Sequence, residues 1–552
     1  MTSDQSSTPG STRSSWRPMV VIGLAQMLMV FNVSTLQVSI DGITSSLGAP
    51  ATTVGTAIVV YSLVVAGLII LGARIGQAIG SRRVFRAMLV LFGISMAVMA
   101  VSPNAMTMIF AQALAGIAAA SLVPSLVVLI SSHYSGQQQA KALGWLGGAQ
   151  ALGIVLAFLI AGGLATWVSW RVTFGLLVLL AAVIFKMSDR LTGLEGQSGV
   201  EIDVTGMLLV ASSIFLISIG CDNLTEWGVL LATPRAPLTF LDMSPAPFMI
   251  VCGIFLMQAF VSWTRRRQAA GEPVLVALEV LETHRERSAL FCMFVIGALG
   301  SALTFLIPLY IQIVQGGSSL QTALAVIPFS LASFAAAVLV VRMHDRLSPR
   351  EIARIAFMLM TFAMVLLAAV IRNDWSTLPV TIGMIAAGIG EGALVTLLFN
   401  VLVSASPREL AGDVGSLRGT TNNLAAGVGT ALAGALVVGV LASSIHRELV
   451  DNPRIPIELK AQVNLDEIAF VSNSRLRGFL NGLGAAPAHV EEAVEINTRA
   501  RLLALKVTFI ALAGLSLLAW FPAGGLPHKA RGRVGATRPE AAAESSAPGA
   551  SR

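Results

Sequence analysis

Long apolar runs recur along this chain, each about the length a helix needs to cross the hydrocarbon core of a bilayer. Between polar punctuation they fall at 18–40, 54–76, 84–102, 105–130, 142–166, 171–187, 204–222, 246–264, 288–313, 321–342, 352–371, 379–404, 417–443 and 501–522, which makes fourteen. No water inside a bilayer can satisfy backbone N–H and C=O groups, so a spanning segment must be a helix or part of a closed barrel. Barrel strands would be shorter and would alternate, so these runs are read as helices. The chain is expected to be an all-α polytopic membrane protein with 14 transmembrane helices. Composition agrees, with 55% hydrophobic and 12% charged residues and a mean hydropathy of +0.79, far from a soluble domain of 552 residues.

Basic residues set the expected orientation. Lys and Arg number 36 against 29 Asp and Glu, and they gather in turns beside apolar spans, which points to topology and not to a nucleic-acid partner. Arg82, Arg83, Arg265, Arg266, Arg267, Arg346, Arg350, Lys529 and Arg531 fall on one side, while the other holds Arg171, Arg235 and Arg372. By the positive-inside rule both termini are cytoplasmic. Trp167, Trp170, Trp227 and Trp375 lie at the expected outer ends, where amphipathic rings favour the interface. The polar start, 1–17, reads as a cytoplasmic tail before a retained first span, and 523–552 as a disordered cytoplasmic tail. Cys221, Cys252 and Cys292 have no CxxC spacing and read as buried spectator thiols. The six histidines are placed in loops or tails, and no HExxH, GxSxG or GxxxxGK motif occurs. The chain is thus not expected to be an enzyme, nor to hold a metal, cofactor or ATP. A gradient would have to drive any transport.

The stretch GARIGQAIGSRRVF, from Gly72 to Phe85, joins the second and third spans. Gly72, Gly76 and Gly80 recur every four residues and would let another helix approach closely; Arg74, Arg82, Arg83 and Arg86 mark it as a cytoplasmic turn. It resembles the signature of the major facilitator superfamily, roughly G-(K/R)-L-G-D-R-x-G-R-R, through Gly72, Arg74, Gly76, Gly80, Arg82 and Arg83. Gln77 stands at the Asp, and Ala78 at the Arg that follows. In that family the Asp holds the outward-open state through charge contacts, so here the switch motif lacks its carboxylate.

Further resemblances are to the fourteen-span drug:proton antiporters. FNVSTLQVSID from Phe31 is similar to their LDxTIVNVALP run, with Asn32 at the Asp, Gln37 at the Asn and Asp41 at the Pro. FAQALAGIAAASLVP is similar to R-x-x-Q-G-x-G-A-A, with Gln112 at the Arg, linked there to proton coupling, and Ala115 at the Gln. In the fifth span Phe158 and Leu159 replace the Gly-Pro of a GxxxGPxxGG kink, leaving small-residue packing through Gly144, Gly147, Gly148, Gly162 and Gly163. SPRELAGDVGSLRGTTNNLAAGVGTALAG resembles a run in which Arg-Gln stands at Asn422 and Asn423. The resemblance implies two six-helix bundles, 18–190 and 288–522, with a linker and two extra helices at 191–287 between them. VVRMHDRLSPRE, between the tenth and eleventh spans, is a weaker basic turn equivalent to that at Gly72.

Glu391 is the only acidic residue well inside any expected span. Such a group is costly in a bilayer and usually faces a cavity or a partner. It is the candidate proton-coupling residue, or else a structural partner of an Arg or amide on a neighbouring helix. Asn32, Gln37, Gln112, Asn400, Arg418 and Asn422 are candidate substrate-cavity residues, with plain interhelical hydrogen bonding open for Asn32 and Gln37. Arg418 could reach Asp413 or, across the bundle, Glu391. Residues 444–500 read as a helical cap over the outer mouth or as a solvated spacer, with Glu495 and Arg499 spaced to pair on a helix.

The function implied is secondary-active export of amphipathic or hydrophobic small molecules, coupled to protons, from a bacterial inner membrane, by a monomer whose partners are substrate, protons and the lipid bilayer. Two alternatives stand beside it. One is a proton-independent facilitator or metabolite exporter, favoured by Asn32, Gln77 and Gln112. The other is a non-transporting receptor or assembly protein of the same fold.

Overall fold

The computed structural model describes residues 15–528 apart from 135, 194, 197–202, 229–230, 234–235, 240–241, 273, 276–280, 282, 344–345, 373–377, 406–410, 452–472 and 483–485. Residues 1–14 and 529–552 of the tails, Trp375, Arg235 and the 455–470 part of the expected cap lie outside the described residues.

The helices run as α1 (Arg17–Val38), α2 (Ile40–Leu47), α3 (Ala51–Ile79), α4 (Ser81–Ala100), α5 (Ala105–His133), α6 (Gly136–Trp167), α7 (Trp170–Met187), α8 (Val204–Asp222) and α9 (Leu224–Trp227). They continue as α10 (Pro245–Ala269), α11 (His284–Leu309), α12 (Ser319–Met343), α13 (Pro349–Val370), α14 (Leu378–Ala405), α15 (Ala411–Asp451), α16 (Asn473–Gly482) and α17 (Pro487–Ala519). Among the described residues, thirteen helices are long and apolar enough to cross a membrane. A further helix, α6, has 32 residues, of which Leu152–Trp167 form a shorter apolar stretch.

Helices outrun the apolar runs wherever polar residues carry good helix propensity into the water layers. α15 continues to Asp451, α10 carries Arg265, Arg266 and Arg267 within its last turns, and α17 begins at Pro487. Part of the stretch expected as an outer loop is therefore helix, and His446 and His489, expected in loops, sit inside helices. Arg499 bonds Glu495 at 3.0 Å, the expected pair, and also Glu448 at 3.2 Å. Cys292 is buried, but Cys252 is exposed on α10, which packs on little besides α8.

The N-terminal bundle is knit by α1 against α6, α3 against α5, and α4 against α5 and α7. In the C-terminal bundle α14 packs on α12 and α13, α15 on α11, and α17 on α13 and α15. Between them lies the pair α8 and α10. Asp203 caps α8 by accepting from Gly206 N at 2.9 Å, and its buried carboxylate also takes Trp263 Nε1 at 3.1 Å and faces Arg267 at 3.7 Å. α8 packs on both α3 and α15, so it lies across the joint between the two bundles, with Gly67 of α3 close to Ala211.

Candidate functional site

The stretch from Gly72 to Phe85 is nearly all helix. α3 runs to Ile79, α4 starts at Ser81, and the whole turn is Gly80, whose φ of +106° suits only glycine. Gly72 is the close-approach position: a Cβ there would lie 2.7 Å from Cα of Ser121 on α5. Gly76 does not share that role, having nothing within 4 Å of such a Cβ. It borders an open groove with Gln77, Ser81, Pro124 and Glu195. Arg74 donates to Gln77 Oε1 at 3.2 Å and to the Val274 carbonyl at 2.6 Å, which ties α3 to the segment after α10. Arg82 donates to the Asp189 carbonyl at 2.6 Å, and Arg86 pairs with the Asp189 carboxylate. Arg83 is exposed.

Asn32 and Gln112 come together inside the N-terminal bundle. Asn32 Nδ2 donates to Gln112 Oε1 at 2.8 Å, Gln112 Nε2 donates back to Asn32 Oδ1 at 3.0 Å, and both residues are fully buried. A solute could contact either amide only by breaking this exchange.

Gln37 lies instead where the two bundles meet, at the end of the molecule opposite Arg82 and Arg83. Its Nε2 donates to Thr304 Oγ1 of α11 at 3.2 Å. Beside it the first span breaks at Ser39, where an unbroken helix would bond Asp41 N to Gln37 O. The side-chain amide of Gln312, in the π-turn Tyr310–Val314 that follows α11, fills that gap. Gln312 Nε2 donates to Gln37 O at 3.2 Å and Gln312 Oε1 accepts from Asp41 N at 2.9 Å. Further contacts close the same end: Phe305 of α11 against Gly55 of α3 and Gly434 of α15, and Leu320 N donating to Thr166 Oγ1 at 3.0 Å. Gln312 was not foreseen, because one glutamine near a span end carries no sequence signal of the helix break it bridges.

In the C-terminal bundle Glu391 of α14 reaches between α11 and α12. Ser333 Oγ donates to its Oε2 at 3.3 Å, and Oε1 occupies the space a side chain at Gly300 would need. No Arg, Lys or His bonds this carboxylate among the described residues, and the side chain is only partly covered. Arg418 does not reach it. Its guanidinium lies over the Phe399 ring, 4.0 Å from the centroid, while the Asp413 side chain lies outside what is described. α15 turns Gly419 and Gly427 toward α3, and Asn422 and Ala425 toward Gly297 of α11; Asn422 is exposed. Asn400, next to Phe399, is half-buried on α14.

Sequence comparison decides the family. The profile of the Major Facilitator Superfamily matches residues 22–430. The chain belongs to the major facilitator superfamily. It is accordingly placed in a family of multi-pass membrane proteins and is not an enzyme, and it spans about two thirds of the length of the curated relatives it matches. Among its relatives, the puromycin resistance protein of Streptomyces alboniger is 28% identical over 346 residues, 61% of this chain and 64% of that protein. The probable actinorhodin transporter of Streptomyces coelicolor is 24% identical, over 72% of this chain and 68% of its own length. A multidrug efflux pump of Mycolicibacterium smegmatis is 24% identical, over 75% and 79%. Of solved structures, an inward-facing, occupied bacterial homologue of the human lysosomal transporter Spinster superposes with a TM-score of 0.59 at 13% identity, covering 93% of this chain and 97% of that one. That likeness shows the major facilitator fold alone.

Proposed function

We propose that this superfamily member exports amphipathic or hydrophobic small molecules across a bacterial plasma membrane by alternating access, with α6 as a fourteenth span, both termini cytoplasmic, and Glu391 as the group that loads and releases a proton. The observation that carries the coupling is the setting of Glu391: a carboxylate within the C-terminal bundle that has a hydroxyl donor at Ser333 but no cationic partner among the described residues. A carboxyl group so placed can be neutral or charged as its surroundings open and close, whereas one locked to a guanidinium would stay charged. Relatives named for puromycin resistance and multidrug efflux support the substrate class. The bundle contacts gathered at the end away from Arg82 and Arg83 correspond, on this topology, to a state closed to the outside.

The test is drug accumulation in everted vesicles energised by a proton gradient. Glu391→Gln should abolish gradient-driven accumulation while substrate exchange without a gradient persists. Accumulation unchanged in that variant would overturn the coupling. A second reading, a proton-independent exporter, draws on the Asn32–Gln112 amide exchange, which leaves that part of the N-terminal bundle without a titratable group. It would be favoured if dissipating the gradient left transport by the unaltered protein intact.

A further inference from the structure

Two arginines on the first turns of α13, Arg350 and Arg354, converge on one point. A Cβ placed on Gly524, in the short turn that ends α17, would lie 2.8 Å from Nη2 of Arg354 and 3.5 Å from Nη2 of Arg350. Like charges this close repel unless an anion joins them. Neither guanidinium has a hydrogen-bonded or ion-paired partner among the described residues, and the Nε atoms of both are buried without an acceptor.

Among the described residues, the carboxylates that could neutralise them are committed elsewhere. Glu351, between the two arginines in sequence, closes the capping box of α13, its Oε2 accepting from Ser348 N at 2.9 Å and Ser348 Oγ at 2.8 Å. Glu286 does the same for α11, taking Thr283 N at 2.7 Å. The remaining ionisable neighbours among the described residues add no negative charge: His284 lies against Gly525 and His528 follows on the same segment. The N-terminus of α13 adds its own partial positive charge.

The position names the source of the anion. Arg354 stacks on Trp520, 4.2 Å from guanidinium carbon to ring centroid, at the level where α17 ends and α13 begins. From there the outer face of α13 continues as exposed Ile355, Met358 and Phe362, and α17 shows exposed Leu517 and Leu518, followed by exposed Phe521 just past its end. A forked cationic site at the interface, opening onto apolar surface, suits a phosphate with acyl chains attached.

We propose that Arg350 and Arg354 form a site for the phosphate headgroup of an anionic phospholipid in the leaflet on the Arg82–Arg83 side. The bound lipid would bridge α13 and the segment that ends α17, offsetting the repulsion between the two guanidinium groups.

The test uses the full-length protein purified in detergent, with phosphatidylglycerol, phosphatidylcholine and inorganic phosphate as probes, read by native mass spectrometry and by thermal unfolding. Phosphatidylglycerol should bind and raise the unfolding temperature, and phosphatidylcholine and inorganic phosphate should not. Arg350→Gln with Arg354→Gln should weaken phosphatidylglycerol binding by about tenfold or more, and Arg499→Gln, an exposed arginine at the other end of the molecule, should leave it unchanged. Should the double glutamine variant not fold, Arg350→Lys with Arg354→Lys keeps the charge but loses the fork, and should still lose most of the binding. Phosphatidylglycerol binding undiminished in either double variant overturns the site. Equal stabilisation by inorganic phosphate, without selectivity for the lipid, overturns the lipid as its occupant.

Discussion

The amides of Asn32 and Gln112 face one another across α1 and α5 and give each other one donor and one acceptor, with no accessible surface left on either residue. They stand at the positions where the resembling antiporters carry an acid and an arginine, so a neutral pair fills the space of a charged one. Removing either partner strands the other in the bundle interior, at a cost of about 1–3 kcal/mol. Asn32→Ala and Gln112→Ala should each destabilise by that amount, and the double variant by clearly less than the sum. Denaturant unfolding in detergent would measure this, and strict additivity would refute the pairing.

Gly300 makes room for Glu391. Gly300→Ala places a methyl group where Oε1 now lies and should displace the carboxylate, lowering gradient-driven accumulation more than expression or unfolding temperature. Shortening the acid should restore part of the loss, so Gly300→Ala with Glu391→Asp is expected to transport better than Gly300→Ala alone. Vesicle assays on the three variants would show no such rescue if the two side chains did not compete for space.

Gln312 takes both sides of the helical hydrogen bond broken at Ser39. Gln312→Leu removes that clasp, worth about 1–3 kcal/mol, and should raise the population open at that end by about tenfold. With Cys252→Ser removing the exposed thiol, a cysteine introduced at Val59, now 1% exposed between α3 and α15, should then label faster with a polar maleimide. An unchanged labelling rate would separate the clasp from the gate.

Two arginines two residues apart on α17 should behave in opposite ways. Arg501 is fully buried; it donates to the Ile313 carbonyl at 3.1 Å and to Asn473 Oδ1, joining α16 to the π-turn that holds Gln312. Arg499 is exposed, with two surface carboxylates. Arg501→Met should cost about 2–4 kcal/mol by stranding those acceptors, and Arg499→Ala less than about 1 kcal/mol. Thermal unfolding of the two variants side by side decides it.

Much of the architecture was legible because a bilayer enforces one rule, a run of apolar residues of fixed length, that a sequence displays directly. Helix ends were less so. Once outside the hydrocarbon, a segment such as 444–451 or 487–500 can be helix or loop with equal polarity, and only packing decides. Polar residues inside spans were easy to find, as Asn32, Gln112 and Glu391 show, but their partners were not. The Asn32–Gln112 exchange joins residues 80 apart, and the Gln312 clasp joins residues 271 apart. Arg501 was passed over because a lone arginine at a span end looks like an interfacial anchor. The spacing of Arg350 and Arg354 was visible, but not the diversion of Glu351 into a cap.

A helix laid over a moving joint must travel with one side and slide past the other. α8 occupies that position between α3 and α15, while Arg74 and Asp203 fasten the inserted pair near its base. Under the proposed alternating access the halves would shear along α8, which covers that flank. On the export proposed above, a lipophilic cargo entering sideways from the bilayer would use the opposite seam, where α6 packs on α12.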